Sequence, residues 1–175
     1  MENAQRINLL GALALALADA QAAATRRASG LGPSACAALV TLGATPGITI
    51  GALARVLGLS HSVTVRITEE LVRAGLARRG AGADRREVAL ALTEAGASLR
   101  AAILAARAAS LGDALKSLSS DDQARFGEML ATLLTGLTKG RQAADHICRL
   151  CDEHVCGLDL CPVERQAVRI AALRP

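Results

Sequence analysis

The sequence predicts a mostly α-helical protein with one small β-hairpin, on three observations. Ala and Leu dominate a chain of 175 residues, 51% of it apolar, in which Phe126 is the sole aromatic, and that composition favours helix. Apolar residues recur at helical spacing in blocks separated by Gly and Pro. One stretch near the middle instead alternates with a period of two, through Val88, Leu90 and Leu92, and that period belongs to a strand.

Each element has its own signal. Ile7 to Ala28 reads as a helix apolar almost all round, which implies burial against more than one neighbour, a second copy of the chain among them. Gly30, Gly32 and Pro33 break it, and Pro33 suits the first position of the next helix, Ser34 to Ala44. Pro46 and Gly47 break again. Ile50 to Leu57 then forms a short helix, Gly58 to Ser60 a tight turn, and His61 to Ala74 a second helix stopped by Gly75. Leu76 to Arg79 and Glu87 to Leu92 read as two strands joined through Gly80, Ala81, Gly82 and Ala83. Thr93 caps a long helix to about Leu118, Ser120 with Gln123 makes a capping box, and a further helix runs to about Thr138 before Gly140. Residues 1–140 are thus expected to form one unit, and 141–175 a separate segment of different composition.

Several function classes fall away on composition. The longest apolar stretch, Ile7 to Ala18, is short of the ~20 residues that span a bilayer. No basic region precedes it, since Glu2 and Arg6 cancel, so export is not expected and the protein is placed in the cytoplasm. The net charge of +4 is modest, but residues 51–92 hold seven arginines against four acids. Arg outnumbers Lys eighteen to two, which favours planar two-pronged contacts to phosphate or guanine.

A short helix, a turn with Gly and a second helix is the helix-turn-helix arrangement, in which the first helix braces the second in a DNA major groove. Ala54 and Gly58 are small where the two helices must approach. On the second helix Ile67, Leu71 and Ala74 define the packed face, and Ser62, Val65, Arg66, Glu69 and Arg73 the opposite one. Ser60 can cap its N-terminus, where free amides favour a phosphate, with His61 and Ser62 in the first turn. Arg66 can reach guanine and Val65 a thymine methyl. The hairpin's Gly-rich tip, followed by Asp84, Arg85 and Arg86, can place a guanidinium in a minor groove. An ordinary solvated face and a structural hairpin are the alternatives for any one of these residues.

The run GALARVLGLSHSVTVRITEELVRAGLARRGAGADRREVALALTEAG, residues 51–96, resembles the winged-helix core of the MarR family. DRREVALALTEAG is similar to the family's wing signature of Asp, any residue, Arg, then a strand ending in Leu-Thr and a helix reaching Gly. SLSSDDQARFGEMLATLLTGL, residues 117–137, is similar to its final dimerisation helix. The resemblance covers about residues 5–139, with a DNA-binding core at about 33–92. It implies a winged helix-turn-helix homodimer interlocked through its N- and C-terminal helices, two recognition helices on a near-palindromic duplex site, Arg86 as wing-tip arginine and Asp84 as its partner. Thr64 departs from the family, which has an apolar residue there. Many members sense aromatic acids or phenols in a cleft, but one lined by Ala, Leu and Val offers little stacking, so that ligand class is not carried over.

Four of the five cysteines lie in HICRLCDEHVCGLDLCPVE, residues 146–164. Cys148, Cys151, Cys156 and Cys161 have the C-x2-C-x4-C-x4-C spacing of a zinc knuckle with cysteine in the usual histidine place. The close pair can curl around one ion and the later two can close a tetrahedron of thiolates. Zinc is the first reading. An iron-sulfur cluster is the second, since Cys161-Pro162 resembles the ending of ferredoxin-type sites, and metal-free redox thiols are the third. His146 and His154 are spare ligands or surface histidines, and Cys36, in an apolar helix, reads as a small core residue.

The expected function is a DNA-binding transcription repressor, or alternatively an activator, tuned by a metal or redox event at the cysteines. A structural cysteine site with a small-molecule inducer elsewhere is the competing reading. A thiol or metal enzyme is disfavoured, because four thiolates leave no open coordination position and no nucleophile-base pair stands near them.

Overall fold

The computed structural model describes residues 2–81 and 88–173. Among them the chain runs through helix α1 (Asn3–Ser29), α2 (Pro33–Ala44), strand β1 (Ile48–Thr49), α3 (Ile50–Leu57), α4 (His61–Arg73), β2 (Ala77–Ala81), β3 (Val88–Leu92), α5 (Glu94–Leu115), α6 (Ser120–Leu137), α7 (Arg141–Cys148), α8 (Glu153–Cys156) and α9 (Pro162–Ala172). The fold is mostly helical with a small antiparallel sheet ordered β1-β3-β2. Asp84, Arg85 and Arg86 lie outside the described residues, as does the loop from Gly82 onward.

Local chemistry sets the boundaries. Pro33 occupies the first turn of α2, where its missing N–H is not needed. Gly30 ends α1 and Gly58 ends α3, both with left-handed backbone. Thr93 caps α5 by accepting from the Gly96 N–H, and its hydroxyl donates to the Gly75 carbonyl. Gly96 in turn has no room for a Cβ, which would run into the backbone carbonyl of Leu76. The first turn of α5 is therefore pressed against the start of the hairpin.

Four expectations need correction. The sheet has a third strand, β1, paired with β3 as Ile48 to Leu90 and Thr49 to Ala89. Two residues are too few to show alternation. The cap of α6 is Ser119, whose hydroxyl accepts from the Asp122 N–H; the Gln123 side chain instead donates to the Leu115 and Leu118 carbonyls at the end of α5. Adjacent serines made the register ambiguous. On α4, Ala74 is exposed, and Thr64 and Thr68 join Ile67 and Leu71 on the buried face. Both threonine hydroxyls donate to carbonyls of their own helix, Ser60 and Val65, so they are buried without being orphaned. Finally α1, at 27 residues, is long and apolar enough to cross a membrane by length and composition. A single Asp19 does not end a run that continues through Ala20 to Ala24.

One core joins the helix-turn-helix to the sheet and α5. It is built from Leu39 and Leu42 of α2, Leu53 and Leu57 of α3, Leu71 of α4, Leu90 of β3 and Ile103 of α5. Each such side chain, fully buried, contributes about 1.5–3 kcal/mol before entropy is counted. Cys36 is buried in it as a small core residue. Residues 141–173 hold a second, smaller core of Ala144, Cys161, Val163 and Ala167, backed by Leu134 and Ile147. Helix α7 packs on α3 and α9 packs on α6, so this segment is docked on the rest of the chain.

The long helices are poorly covered. α1 lies along α5 and buries only Ala24 and Thr25, leaving Ile7, Leu9, Leu10, Leu13 and Leu15 exposed, Leu15 at 70%. α6 buries none of its residues, and Met129, Leu130, Leu133 and Leu137 are exposed.

Candidate functional site

Ser60 starts α4, its hydroxyl accepting from the Val63 N–H at 3.4 Å and lying 3.2 Å from the Ser62 hydroxyl. Ser60, His61, Ser62 and Arg66 are all exposed and Val65 is half-buried. The sequence-predicted reading face is thus brought together on one side of α4, opposite the buried Thr64, Thr68 and Leu71. The N-terminal amides of α4 add partial positive charge on the same side. Glu69, further along that face, forms a 3.6 Å ion pair with Arg79 of β2, which links the helix to the hairpin. With both partners about half exposed, it orients more than it stabilises.

The four cysteines of residues 146–164 line one cavity of about 720 Å³. Its opposite wall is the helix-turn-helix scaffold, with Val40 and Thr41 of α2 and Ala52 and Val56 of α3. The Thr41 hydroxyl there is buried without a partner among the described residues. All four thiols are free. Cys148 ends α7 and Cys161 caps α9, while Cys156 ends the single turn of α8. Cys151, between α7 and α8, is half-buried, Cys156 exposed and Cys161 buried. Among the described residues no group of three or more His, Cys, Asp or Glu side chains stands in an arrangement that could hold a metal ion. The thiols share a cavity wall, with Cys148 close enough to Cys151 and Cys161 to hydrogen-bond with them.

Their electrostatics are those of a cluster. Hydrogen bonding with Cys151 pushes the Cys148 thiol above the ordinary range, and burial and the neighbouring Cys151 and Cys161 charges push the same way. The same contact with Cys148 lowers Cys151 to about 6 against the effect of burial, with help from the cations Arg107 and Arg149. Burial raises Cys156. The segment is clasped by Arg141 of α7, which forks onto Glu164 of α9 at 2.8 and 2.7 Å and reaches Asp145 at 2.9 Å. The fork holds the Glu164 carboxyl below its ordinary range and raises the guanidinium.

One residue escaped the sequence reading, and another named there makes a contact that the sequence does not show. Arg107 of α5 is a positive neighbour of Cys151 and Cys156, and its Nε is buried without a partner among the described residues; nothing marks it among the other arginines. His146 faces away from the cysteine cavity. Its Nδ1 lies 2.8 Å from the Val56 carbonyl oxygen, a pairing across ninety positions with no local signal. His154 is exposed on α8.

Comparison with known proteins places this architecture. A profile of the MarR family matches residues 29–87. A solved structure of a probable transcriptional regulator from Pseudomonas aeruginosa is 30% identical, covering 70% of this chain and 95% of that one with a TM-score of 0.56. A MarR family protein of Mycobacterium tuberculosis, in complex with p-aminosalicylic acid, is 25% identical over 76% of this chain and 98% of that one, with a TM-score of 0.57. Wild-type MarR from E. coli in its apo form, at 21% identity, shares the fold with a TM-score of 0.61 over 71% of this chain and 96% of that one. No curated protein matches. The α2–α3–α4 unit with its three-stranded sheet, the capped reading helix and these matches agree, and the chain belongs to the MarR family of winged-helix transcriptional regulators.

Proposed function

We propose that this regulator is a repressor that binds a near-palindromic duplex site as a homodimer, with α4 in the major groove and the hairpin in the flanking minor groove. The observation that carries the reading is the exposed set His61, Ser62 and Arg66 beside the Ser60-capped start of α4. The exposed apolar faces of α1 and α6 supply the dimer surface, since apolar patches of that extent call for a partner. This assignment also gives α1 a use other than spanning a bilayer, and a protein working on DNA acts in the cytoplasm. The test is anisotropy titration of purified protein on duplexes selected from a random pool. Saturation at two chains per duplex, with affinity falling steeply in salt, is expected; preference for single strands would end the reading.

We further propose that Cys148, Cys151, Cys156 and Cys161 hold one metal centre per chain, zinc first and an iron-sulfur cluster second, and that its state tunes DNA binding. Support comes from the shared cavity wall and from soft thiolates as the donor set. Uptake of an ion would draw the segment together and fix it, as in small metal sites. Metal analysis and the ultraviolet-visible spectrum of protein purified without air separate zinc, cluster and free thiols. Replacing Cys148 and Cys161 by Ser should abolish uptake, and retained metal would remove the assignment. Metal lost with unaltered operator affinity would favour a structural site with a small-molecule inducer elsewhere.

A further inference from the structure

The cysteine segment meets the helix-turn-helix through one ring. His146 stands two residues before Cys148 on α7, and its Nδ1 is 2.8 Å from the carbonyl oxygen of Val56 in the last turn of α3. A carbonyl can only accept, so Nδ1 carries the proton. Carbonyls in a last helical turn lack intrahelical donors, and the ring supplies one from outside. The same ring covers Gly58, where a Cβ would come within 3.0 Å of Cε1 and 3.3 Å of Nδ1. Gly58 is left-handed, with φ +66, and opens the turn that leads to Ser60 and α4. Arg149 fastens the ring's own backbone, donating from Nη1 to the His146 carbonyl at 2.6 Å. His146 lines a second cavity with Gly58, Arg55 and Gly140, and its Nδ1 is engaged by the Val56 carbonyl rather than by a thiol.

We infer that His146 is a positioning residue that carries the state of the cysteine site to the reading helix. Drawing the thiolates around an ion fixes Cys148, the last residue of α7. Helix α7 is too short to bend between Cys148 and His146, so the ring moves with the thiolate. Val56 and Gly58 lie against that ring, and the turn they bound sets the direction in which Ser60 launches α4. A change of state at the cysteines thus becomes a change in the aim of α4, which is the kind of two-state coupling that links distant sites. The inference rests on the reading of the four cysteines as a metal site.

The experiment uses full-length protein, metal-free and then with equimolar zinc. It follows zinc stoichiometry, affinity for a selected duplex, and hydrogen exchange of the Gly58–Ser60 amides. Wild type is expected to bind zinc, to change DNA affinity by roughly tenfold, and to alter exchange in that turn. His146→Ala should bind zinc with unchanged stoichiometry yet show less than about a twofold response and no zinc-dependent change in exchange. His146→Asn, whose amide N–H can replace Nδ1–H, should restore the response, and His146→Gln, whose amide reaches the Nε2 position, should not. Full response in His146→Ala, or equal response in the Asn and Gln variants, overturns the coupling while leaving the metal site standing. Wild type that takes up no zinc removes the zinc site and, with it, the coupling.

Discussion

Arg141 and Glu164 face each other as a two-pronged ion pair, Nη1 to Oε1 at 2.8 Å and Nη2 to Oε2 at 2.7 Å, across the gap between α7 and α9. The carboxylate is one quarter exposed and the guanidinium about half. Solvent therefore weakens the pair, and Glu164→Gln should cost about 0.5–1 kcal/mol. Because the fork lowers the Glu164 pKa from its ordinary 4.5, its contribution is complete above that value and is lost as pH falls through the lowered one. Thermal melts from pH 7 to pH 3 should show wild type losing its advantage over Glu164→Gln only at the acid end. An advantage that grew on acidification would contradict this.

Gly96→Ala should be damaging, because Gly96 is buried in the first turn of α5. Its Cβ would meet the Leu76 backbone carbonyl, and backbone cannot give way as a flexible side chain does. A loss of about 1–3 kcal/mol, the usual cost of overpacking, is expected in denaturant titration. Gly112, with nothing near a built Cβ, is the control, where Ala should be neutral or slightly stabilising.

Leu15→Glu and Leu137→Glu place charges on exposed apolar faces of α1 and α6. In an isolated chain they would change little, as exposed substitutions usually stay within about 0.5 kcal/mol. In a homodimer they bury charge. Light scattering should report dimers for wild type and monomers for the double variant, and a wild-type monomer at micromolar concentration would dispose of the dimer.

Arg66→Ala and Arg86→Ala should differ in kind. Arg66 projects from the reading face of α4, so its loss should relax preference at one base pair by about 1–3 kcal/mol. Arg86, assigned to the wing by resemblance alone, should weaken all sequences alike and lower the salt slope by about one. Binding curves for matched and mismatched duplexes at several salt concentrations distinguish the two. Equal effects on every duplex for both would undo the assignment.

Helices were legible in the sequence because Gly and Pro fall between apolar blocks, and the reading face of α4 because Ser60 and Arg66 sit at fixed offsets on a helix. The limits were equally physical. Thr64 and Thr68 carry no apolar signal, since their hydroxyls are satisfied by bonding back to their own helix, and two adjacent serines left the cap of α6 uncertain by one position. The small core around Ala144, Val163 and Ala167 has no periodic signature, since two short helices, α7 and α9, contribute a residue or two each. The contact of His146 with Val56 is tertiary, and only the fold brings it about.

Thr49 serves two elements at once. It pairs with Ala89 in the sheet, and its hydroxyl caps α3 by accepting from the Ala52 N–H. The strand it pairs with, β3, is also the inner strand of the hairpin. The start of α3 and the inner strand of the hairpin are thus tied through one residue, and in the proposed complex they would travel over DNA as one piece. Any change in the aim of α4 would then be taken up in the turn between α3 and α4, and tolerance for operators of unequal spacing would reside between the two subunits.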